Sequence, residues 1–167
     1  MALLNLRTLP DPILRQKARR VSKIDDSLQK LIDDMIDTMR DAGGVGLAAN
    51  QVGVLQRIVV IEIPEEDDVR VLINPEIVRR EGERVVDEGC LSIPGYRGEL
   101  TRSLNVRARA LDRDGKSVRI KAEGLLAQAL EHETDHINGT LYIDHLESPD
   151  KLWKLEPEQA GAQSEEN

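Results

Sequence analysis

Apolar and charged residues alternate in two neighbouring stretches of the chain, between residues 105 and 123. The apolar positions are Val106, Ala108, Ala110, Val118, Ile120 and Ala122, and most of the residues between them are arginine or lysine. A period of two is typical of a β-strand with one buried face, and Asp114-Gly115 between the stretches is a turn signal. The pattern predicts an antiparallel hairpin with one face in the core.

A helical period marks the residues from Asp26 to the Gly43-Gly44 pair. The apolar stripe consists of Leu28, Leu31, Ile32, Met35, Ile36 and Met39. Aspartates are concentrated in the early turns, where they complement the positive end of a helix dipole, and two glycines end the pattern. The sequence therefore predicts an amphipathic helix near the N-terminus.

Shorter apolar runs predict further strands. Residues 57–63 and 69–73 read as strands, the second ended by Asn74-Pro75, and residues 83–87 and 141–143 read as two shorter ones. The predicted hairpin leads directly into a helical pattern at residues 125–139. The expected fold class is therefore α+β, with antiparallel strands packed around this central helix.

The central helix carries two of the three histidines, His132 and His136, with Glu133 directly after the first. Four residues advance a helix by about 400°, so both imidazoles project from one side and can bind one metal ion. Apolar Leu125, Leu126, Ala129 and Ile137 recur at helical spacing with the histidines, which predicts that the metal face is buried. Glu133 projects about 100° away and is a candidate base.

A catalytic metal site of this type needs a third protein ligand. A third histidine six residues after His136 would suit one class of protease, but position 142 is Tyr142. Glu156 lies at the distance expected of a thermolysin-like third ligand, although beside a proline in a polar stretch. Cys90, the only cysteine, lies in an ordered context, and a thiolate with two imidazoles suits Fe²⁺ or Zn²⁺. We therefore favour Cys90.

Composition limits the classes of function. The 167 residues predict one catalytic domain over residues 1–155, followed by a polar acidic tail at residues 156–167. A net charge of −8 and the absence of phenylalanine argue against a nucleic-acid partner. No signal peptide or membrane-length apolar run is visible, and a lone cysteine agrees with a reducing compartment, so we expect a cytoplasmic location.

A loop of very small residues, positions 43–53, precedes the first predicted strand. Such a loop lets another backbone approach closely, and the long amide of Gln51 can donate a hydrogen bond there. No G-K-[ST] follows, so it is not a phosphate-binding loop. A tight turn without chemistry would give the same pattern.

Three motifs together resemble those of the bacterial-type peptide deformylases. They are G-V-G-L-A-A-N-Q at residues 44–51, E-G-C-L-S at residues 88–92 and H-E-T-D-H at residues 132–136, in the order and spacing of that family. The resemblance spans nearly the whole chain, since Asp11-Pro12 and Leu14-Arg15 also match. It implies a metallohydrolase that removes the N-formyl group from the N-terminal methionine of newly made polypeptides and releases formate.

The resemblance also implies roles for individual residues. Cys90, His132 and His136 would bind one divalent metal ion, Fe²⁺ first, with Zn²⁺, Ni²⁺ or Co²⁺ able to substitute. Glu133 would be the general base and acid, and Gln51 with the Leu91 amide would form the oxyanion hole. The substrate would contact Gly44, Val45, Gly46, Val86, Arg97, Leu125 and Ala129.

The implied partners are N-formylmethionyl peptides and nascent chains. Some members of the family dock on the ribosome through a basic C-terminal helix, but the tail of this chain is acidic, which does not support such docking. Two other functions fit the residues alone. One is a small zinc endopeptidase, and the other is a metal-stabilised binding module without turnover.

Overall fold

The structure, a computed structural model, describes residues 2–156, within which lie two α-helices and eight β-strands. The helices are α1 (Asp26–Asp41) and α2 (Gly124–Ile137). The strands are β1 (Gly46–Ala48), β2 (Ile58–Ile61), β3 (Arg70–Glu81), β4 (Arg84–Cys90), β5 (Ile93–Arg102), β6 (Asn105–Leu111), β7 (Ser117–Glu123) and β8 (Leu152–Lys154). The predicted tail, apart from Glu156, lies outside the described residues.

The strands form two antiparallel sheets. The larger has the order β1-β2-β3-β6-β7 and the smaller β4-β5-β8. Helix α2 packs on the larger sheet, where its Ala127, Leu130 and Ile137 join a buried cluster with inward residues of β6 and β7. The predicted α+β class is thereby confirmed.

The β6–β7 hairpin has the predicted register, with Ala108 opposite Ile120. Its turn is closed by the Asp112 carboxylate, which accepts hydrogen bonds from the backbone N–H groups of Asp114 and Lys116. Gly124 then adopts a positive φ of 61°. A residue without a side chain tolerates this conformation, so the chain passes from β7 directly into α2.

Helix α1 covers the other face of the larger sheet. Its first turn is capped by Asp25, whose side chain accepts a hydrogen bond from the Leu28 N–H at 3.0 Å. The buried stripe of α1 joins one cluster with Ile58 and Val60 of β2, whereas Val59 and Ile61 belong to the α2 side. Strand β2 is therefore buried on both faces, which explains its continuous apolar sequence.

Two of the predicted strand assignments are wrong. Residues 142–145 form a 3₁₀-helix in place of a strand. Strand β3 does not end at Asn74-Pro75 but continues to Glu81 through a register shift between Ile73 and Glu76. Asn74 adopts a φ of 53° there, and its side chain bonds the backbone N–H and carbonyl of Val21. The irregularity absorbs a proline that a regular ladder would exclude.

No helix among residues 2–156 combines the length and the apolar character needed to cross a membrane.

Candidate metal centre and active site

Cys90, His132 and His136 meet in the interior, where α2 faces the end of β4. The Cys90 Sγ lies 3.2 Å from the His136 Nε2, which in turn lies 3.2 Å from the His132 Nε2. All three donor atoms lie within 4.8 Å of one another, and all three residues are buried. One sulfur and two imidazole nitrogens at this spacing form a donor set that suits a divalent transition metal.

The alternative ligands lie elsewhere or have other roles. Among residues 2–156, Glu156 does not belong to this cluster. Tyr142, which stands where a protease of the third-histidine class needs its ligand, stacks on the His132 ring with centroids 6.3 Å apart. Burial raises the pKa of the Tyr142 hydroxyl, so this phenol stays neutral.

A buried ionic network that the sequence did not predict contacts the Nδ1 side of the His132 ring. The Glu88 carboxylate lies 2.6 Å from the His132 Nδ1. Arg102 donates two hydrogen bonds to Glu88, at 2.9 and 2.7 Å, and a third to Asp135 at 2.9 Å. The third histidine, His145, joins the network at Asp135, where its Nε2 lies 2.8 Å from the Asp135 Oδ2. A carboxylate on one ring nitrogen fixes the orientation of an imidazole, so the network holds His132 with its Nε2 directed at the His136 Nε2.

The same network explains the charge of Glu88. Burial by itself would raise the pKa of this carboxyl, but His132 and Arg102 hold it well below its ordinary value. Glu88 is therefore a carboxylate that only accepts hydrogen bonds. The sequence did not predict this role, because the E-G-C-L-S segment does not indicate that Glu88 will bind Arg102.

Replacing Arg102 with leucine should lower the free energy of unfolding by about 3–5 kcal/mol, because Glu88 and Asp135 would lose the guanidinium that they share. Urea unfolding of the metal-free protein measures this loss. Arg109→Leu is the matched control, since the Arg109–Glu76 pair has a similar distance of 2.9 Å but both side chains are exposed. The control should lose less than about 1 kcal/mol. Equal losses in the two variants would contradict a central role for the Arg102 network.

Glu133 lies beside the cluster and contacts a different strand. Its carboxylate is so close to Gly46 of β1 that a Cβ on this glycine would lie 2.6 Å from the Glu133 Oε2. The Glu133 Oε1 is buried and has no hydrogen-bond partner among residues 2–156. Burial raises the pKa of the Glu133 carboxyl to about 7, against the opposing effect of His132. A carboxyl group with a pKa near neutrality suits general acid–base chemistry.

Substitution of Gly46 by alanine should therefore displace the Glu133 carboxylate and reduce kcat by about 10²-fold, since an error of 1 Å in a reacting group has an effect of this size. Steady-state kinetics and metal analysis test the expectation. Gly115→Ala, in the β6–β7 turn, is the control for a general loss of stability, because its φ of 83° strains any side chain there while the nearest contact, with Ile24 at 3.4 Å, is an ordinary one. Unchanged kcat in Gly46→Ala would show that the base tolerates the displacement.

Gln51 reaches the metal cluster from the 3₁₀-turn after β1. Its Oε1 accepts a hydrogen bond from the Ala48 N–H at 3.0 Å, which fixes the orientation of the amide. The Nε2 then points towards the Cys90 Sγ at 3.7 Å and the Ser92 Oγ at 3.1 Å. Leu91, between these two residues, is half-buried against the α1 side of the core. The Gln51 amide nitrogen thus lies beside the Cys90 thiol in a fixed orientation.

A surface cleft opens onto the cluster. Its wall includes five of the seven residues predicted to contact the substrate, namely Val45, Gly46, Arg97, Leu125 and Ala129, together with the predicted ligand His132 and the predicted base Glu133. Gly44 and Val86 are not among its lining residues, and Val86 packs with the buried cluster around Cys90. The sequence predicted no site role for four other residues that line the cleft, which are Asp87, Glu88, Gly89 and Gln128.

Comparison with known proteins points to one family. The polypeptide deformylase profile matches residues 3–152. The peptide deformylase of Dehalococcoides mccartyi strain CBDB1 is 59% identical over 95% of each chain. The crystal structure of a peptide deformylase from Legionella pneumophila has a TM-score of 0.87 at 47% identity, covering 98% of this chain and 94% of that one. The Synechococcus elongatus enzyme in complex with actinonin has a TM-score of 0.85 at 44% identity, covering 89% and 81%.

Proposed function

We propose, since this chain belongs to the peptide deformylase family, that Cys90, His132 and His136 hold its catalytic divalent metal. The family removes the N-formyl group from the N-terminal methionine of nascent polypeptides, and this chain is such a hydrolase. The observation that carries the proposal is the convergence of one thiol and two imidazoles within 4.8 Å. The Glu88 carboxylate on the far nitrogen of His132 supports the same assignment.

The residues present fit the metal on chemical grounds. One thiol and two imidazoles, all buried, would hold the ion with three protein ligands, which is the number that hydrolytic metal sites use. When bound, the ion supplies Lewis acidity, which lowers the pKa of water and polarises a carbonyl oxygen. We propose Fe²⁺ as the native ion because of the resemblance to the family, with Zn²⁺, Ni²⁺ or Co²⁺ able to replace it, since the donor set suits all four.

The remaining chemistry belongs to side chains around the cluster. The Glu133 carboxylate takes a proton from the attacking water and later gives it to the departing methionine nitrogen, for which its pKa of about 7 is suited. The Gln51 amide, held in place by the Ala48 N–H, donates to the oxyanion that forms on the formyl oxygen. The Leu91 backbone N–H is the proposed second donor. Both assignments are supported by position, since the Gln51 Nε2 lies 3.7 Å from the Cys90 Sγ and Leu91 follows Cys90 in the sequence.

The peptide lies along Gly44, Val45 and Gly46 in this proposal, pairing through backbone hydrogen bonds as an added strand. The methionine side chain enters the cleft lined by Val45, Leu125 and Ala129, with Arg97 at its rim. Val86 does not line this cleft in the proposal, but packs against the buried cluster that contains Cys90.

The substrate test compares N-formyl-Met-Ala-Ser, N-acetyl-Met-Ala-Ser and a longer unblocked peptide, each with Fe²⁺-loaded protein under anaerobic conditions. A formyl carbon carries only hydrogen, so it can approach a centre closed in by Gly46 and Glu133, whereas an acetyl methyl would collide. We expect the acetyl peptide to react at least about 10²-fold more slowly, and the longer peptide to stay intact. Comparable acetyl hydrolysis or internal cleavage would favour the endopeptidase hypothesis.

We infer the setting of the enzyme from its substrate. Formylated nascent chains are made in the bacterial cytoplasm, so we propose that compartment and no nucleic-acid or membrane partner. Residues 1–155 would be the catalytic domain and residues 156–167 a polar tail. Ribosome docking through this tail is not supported, because it is acidic.

A further inference from the structure

Helix α2 carries a second pair of side chains four residues apart, Glu131 and Asp135. Each directly precedes one of the two histidines of the metal cluster, so the acidic pair lies on a flank of the helix about 100° from the metal face. This flank is bound by the last residue of β5 and by the residue that follows it. Arg102 binds Asp135, and Ser103 binds Glu131.

Glu131 is the more fully bonded member of the pair. Its carboxylate accepts hydrogen bonds from the Ser103 N–H at 2.8 Å, the Ser103 Oγ at 3.0 Å and the Arg80 Nε at 3.0 Å. Only 7% of Glu131 is exposed. Arg80 belongs to β3 of the larger sheet, and Ser103 follows β5 of the smaller one. Glu131 therefore ties the helix to β3 and to the connection between β5 and β6, beside the first of the two histidines.

Contacts that fix the rotation of a helix about its axis also fix the positions of the metal-binding atoms on that helix. The Cα atoms lie about 2.3 Å from the helix axis, and an imidazole nitrogen on a histidine lies roughly 7 Å from it. A rotation of about 2° moves that nitrogen by about 0.2 Å, which is the tolerance of a metal–ligand distance. Cys90 lies on β4 and not on α2, so a small rotation of α2 alone would separate the thiol from both imidazoles.

We propose that Glu131 is a positioning residue for the metal, acting through His132 and His136 by fixing the rotation of α2 about its axis. The inference rests on the proposed metal site. Glu131 does not touch the metal cluster, because its carboxylate is bonded to Ser103 and Arg80 on the neighbouring flank. Its loss should thus change how the site holds a metal while the ligands themselves remain.

The test uses the full chain loaded with Co²⁺, whose visible spectrum reports the coordination geometry. Four proteins are compared: the parent, Glu131→Ala, Glu131→Gln and Glu76→Gln. The rate at which an excess of chelator removes Co²⁺ is measured well below the melting temperature of each. Glu76 is the matched control because it also pairs with an arginine, at 2.9 Å, but has no contact with α2 in the hydrogen bonds described.

Glu131→Ala should lose Co²⁺ about 10- to 100-fold faster than the parent and show an altered spectrum, the range typical of groups that orient metal ligands. Glu131→Gln keeps an acceptor for the Ser103 N–H and should lie between the two, while Glu76→Gln should match the parent. A parental rate and spectrum in Glu131→Ala, even with a lower Tm, would overturn the inference, since Glu131 would then only stabilise the fold.

A further variant covers the case in which Glu131→Ala does not fold. Ser103→Ala removes one of the three hydrogen bonds and leaves the Arg80 pair and the backbone donor in place. It should release Co²⁺ several-fold faster, and a parental rate would overturn the inference. Failure of the parent chain to bind one Co²⁺ would instead overturn the proposed metal site, and the two failures are distinguishable by this measurement.

Discussion

Cys90→Ala should abolish stoichiometric metal binding and, with it, deformylase activity. Removal of the sulfur that lies 3.2 Å from the His136 Nε2 leaves two imidazoles, one ligand short of a catalytic site. The buried position of Cys90 offers no replacement, because Glu133 points towards β1 and Glu88 is occupied by Arg102 and His132. Metal content after gel filtration, together with formate release from formyl-Met-Ala-Ser, measures both effects.

Glu156→Ala is the control for this experiment, since Glu156 is the ligand expected of a thermolysin-like site. It should keep one metal ion per chain and parental activity. The opposite result, with metal retained in Cys90→Ala and lost in Glu156→Ala, would replace the proposed ligand set with the thermolysin-like one. Loss of metal in both variants would require a role for Glu156 that the described contacts do not suggest.

Glu133→Gln should retain the metal and reduce kcat by 10²- to 10⁴-fold, the range for removal of a general acid–base group. The amide has nearly the same shape as the carboxyl and fits against Gly46, but it cannot take a proton from water. The Glu133 Oε1 has no hydrogen-bond partner among residues 2–156, so the substitution breaks no bond there. Stability should therefore change little, which separates this effect from that of Arg102→Leu.

Metal analysis of the same Glu133→Gln preparation decides how its kinetics are interpreted. Full metal content with low kcat supports the proton-transfer role. An inactive protein that has also lost its metal would instead make Glu133 part of metal binding. Parental activity would rule out Glu133 as the base and would direct attention to another group in the cleft, such as Asp87.

Much of the local structure was predictable because its cause is local. The alternation from Val106 to Ala122 specified the β6–β7 hairpin, and the apolar stripe from Leu28 to Met39 specified α1. The four-residue spacing of His132 and His136 placed both rings on one side of α2. In each case, the relevant periodicity of strand or helix is contained within a few neighbouring residues.

Some local predictions failed where tertiary contacts prevailed. Asn74-Pro75 reads as the end of a strand, yet β3 continues because the Asn74 side chain bonds Val21, more than fifty residues away in sequence. Residues 141–143 have strand-like composition but lead into a 3₁₀-helix that packs Tyr142 against His132. Neither contact is visible from the neighbours of these residues alone.

The sequence by itself therefore determined α1, α2, the β6–β7 hairpin, the paired histidines and, through three motifs, the family. The tertiary structure alone decided how the site is supported: Cys90 beside His136, Glu88 between His132 and Arg102, and Gly46 against Glu133. The physical reason is that periodicity orients side chains about their own helix or strand. The distance between side chains on different elements depends instead on how sheets and helix pack, and that packing is a property of the whole core.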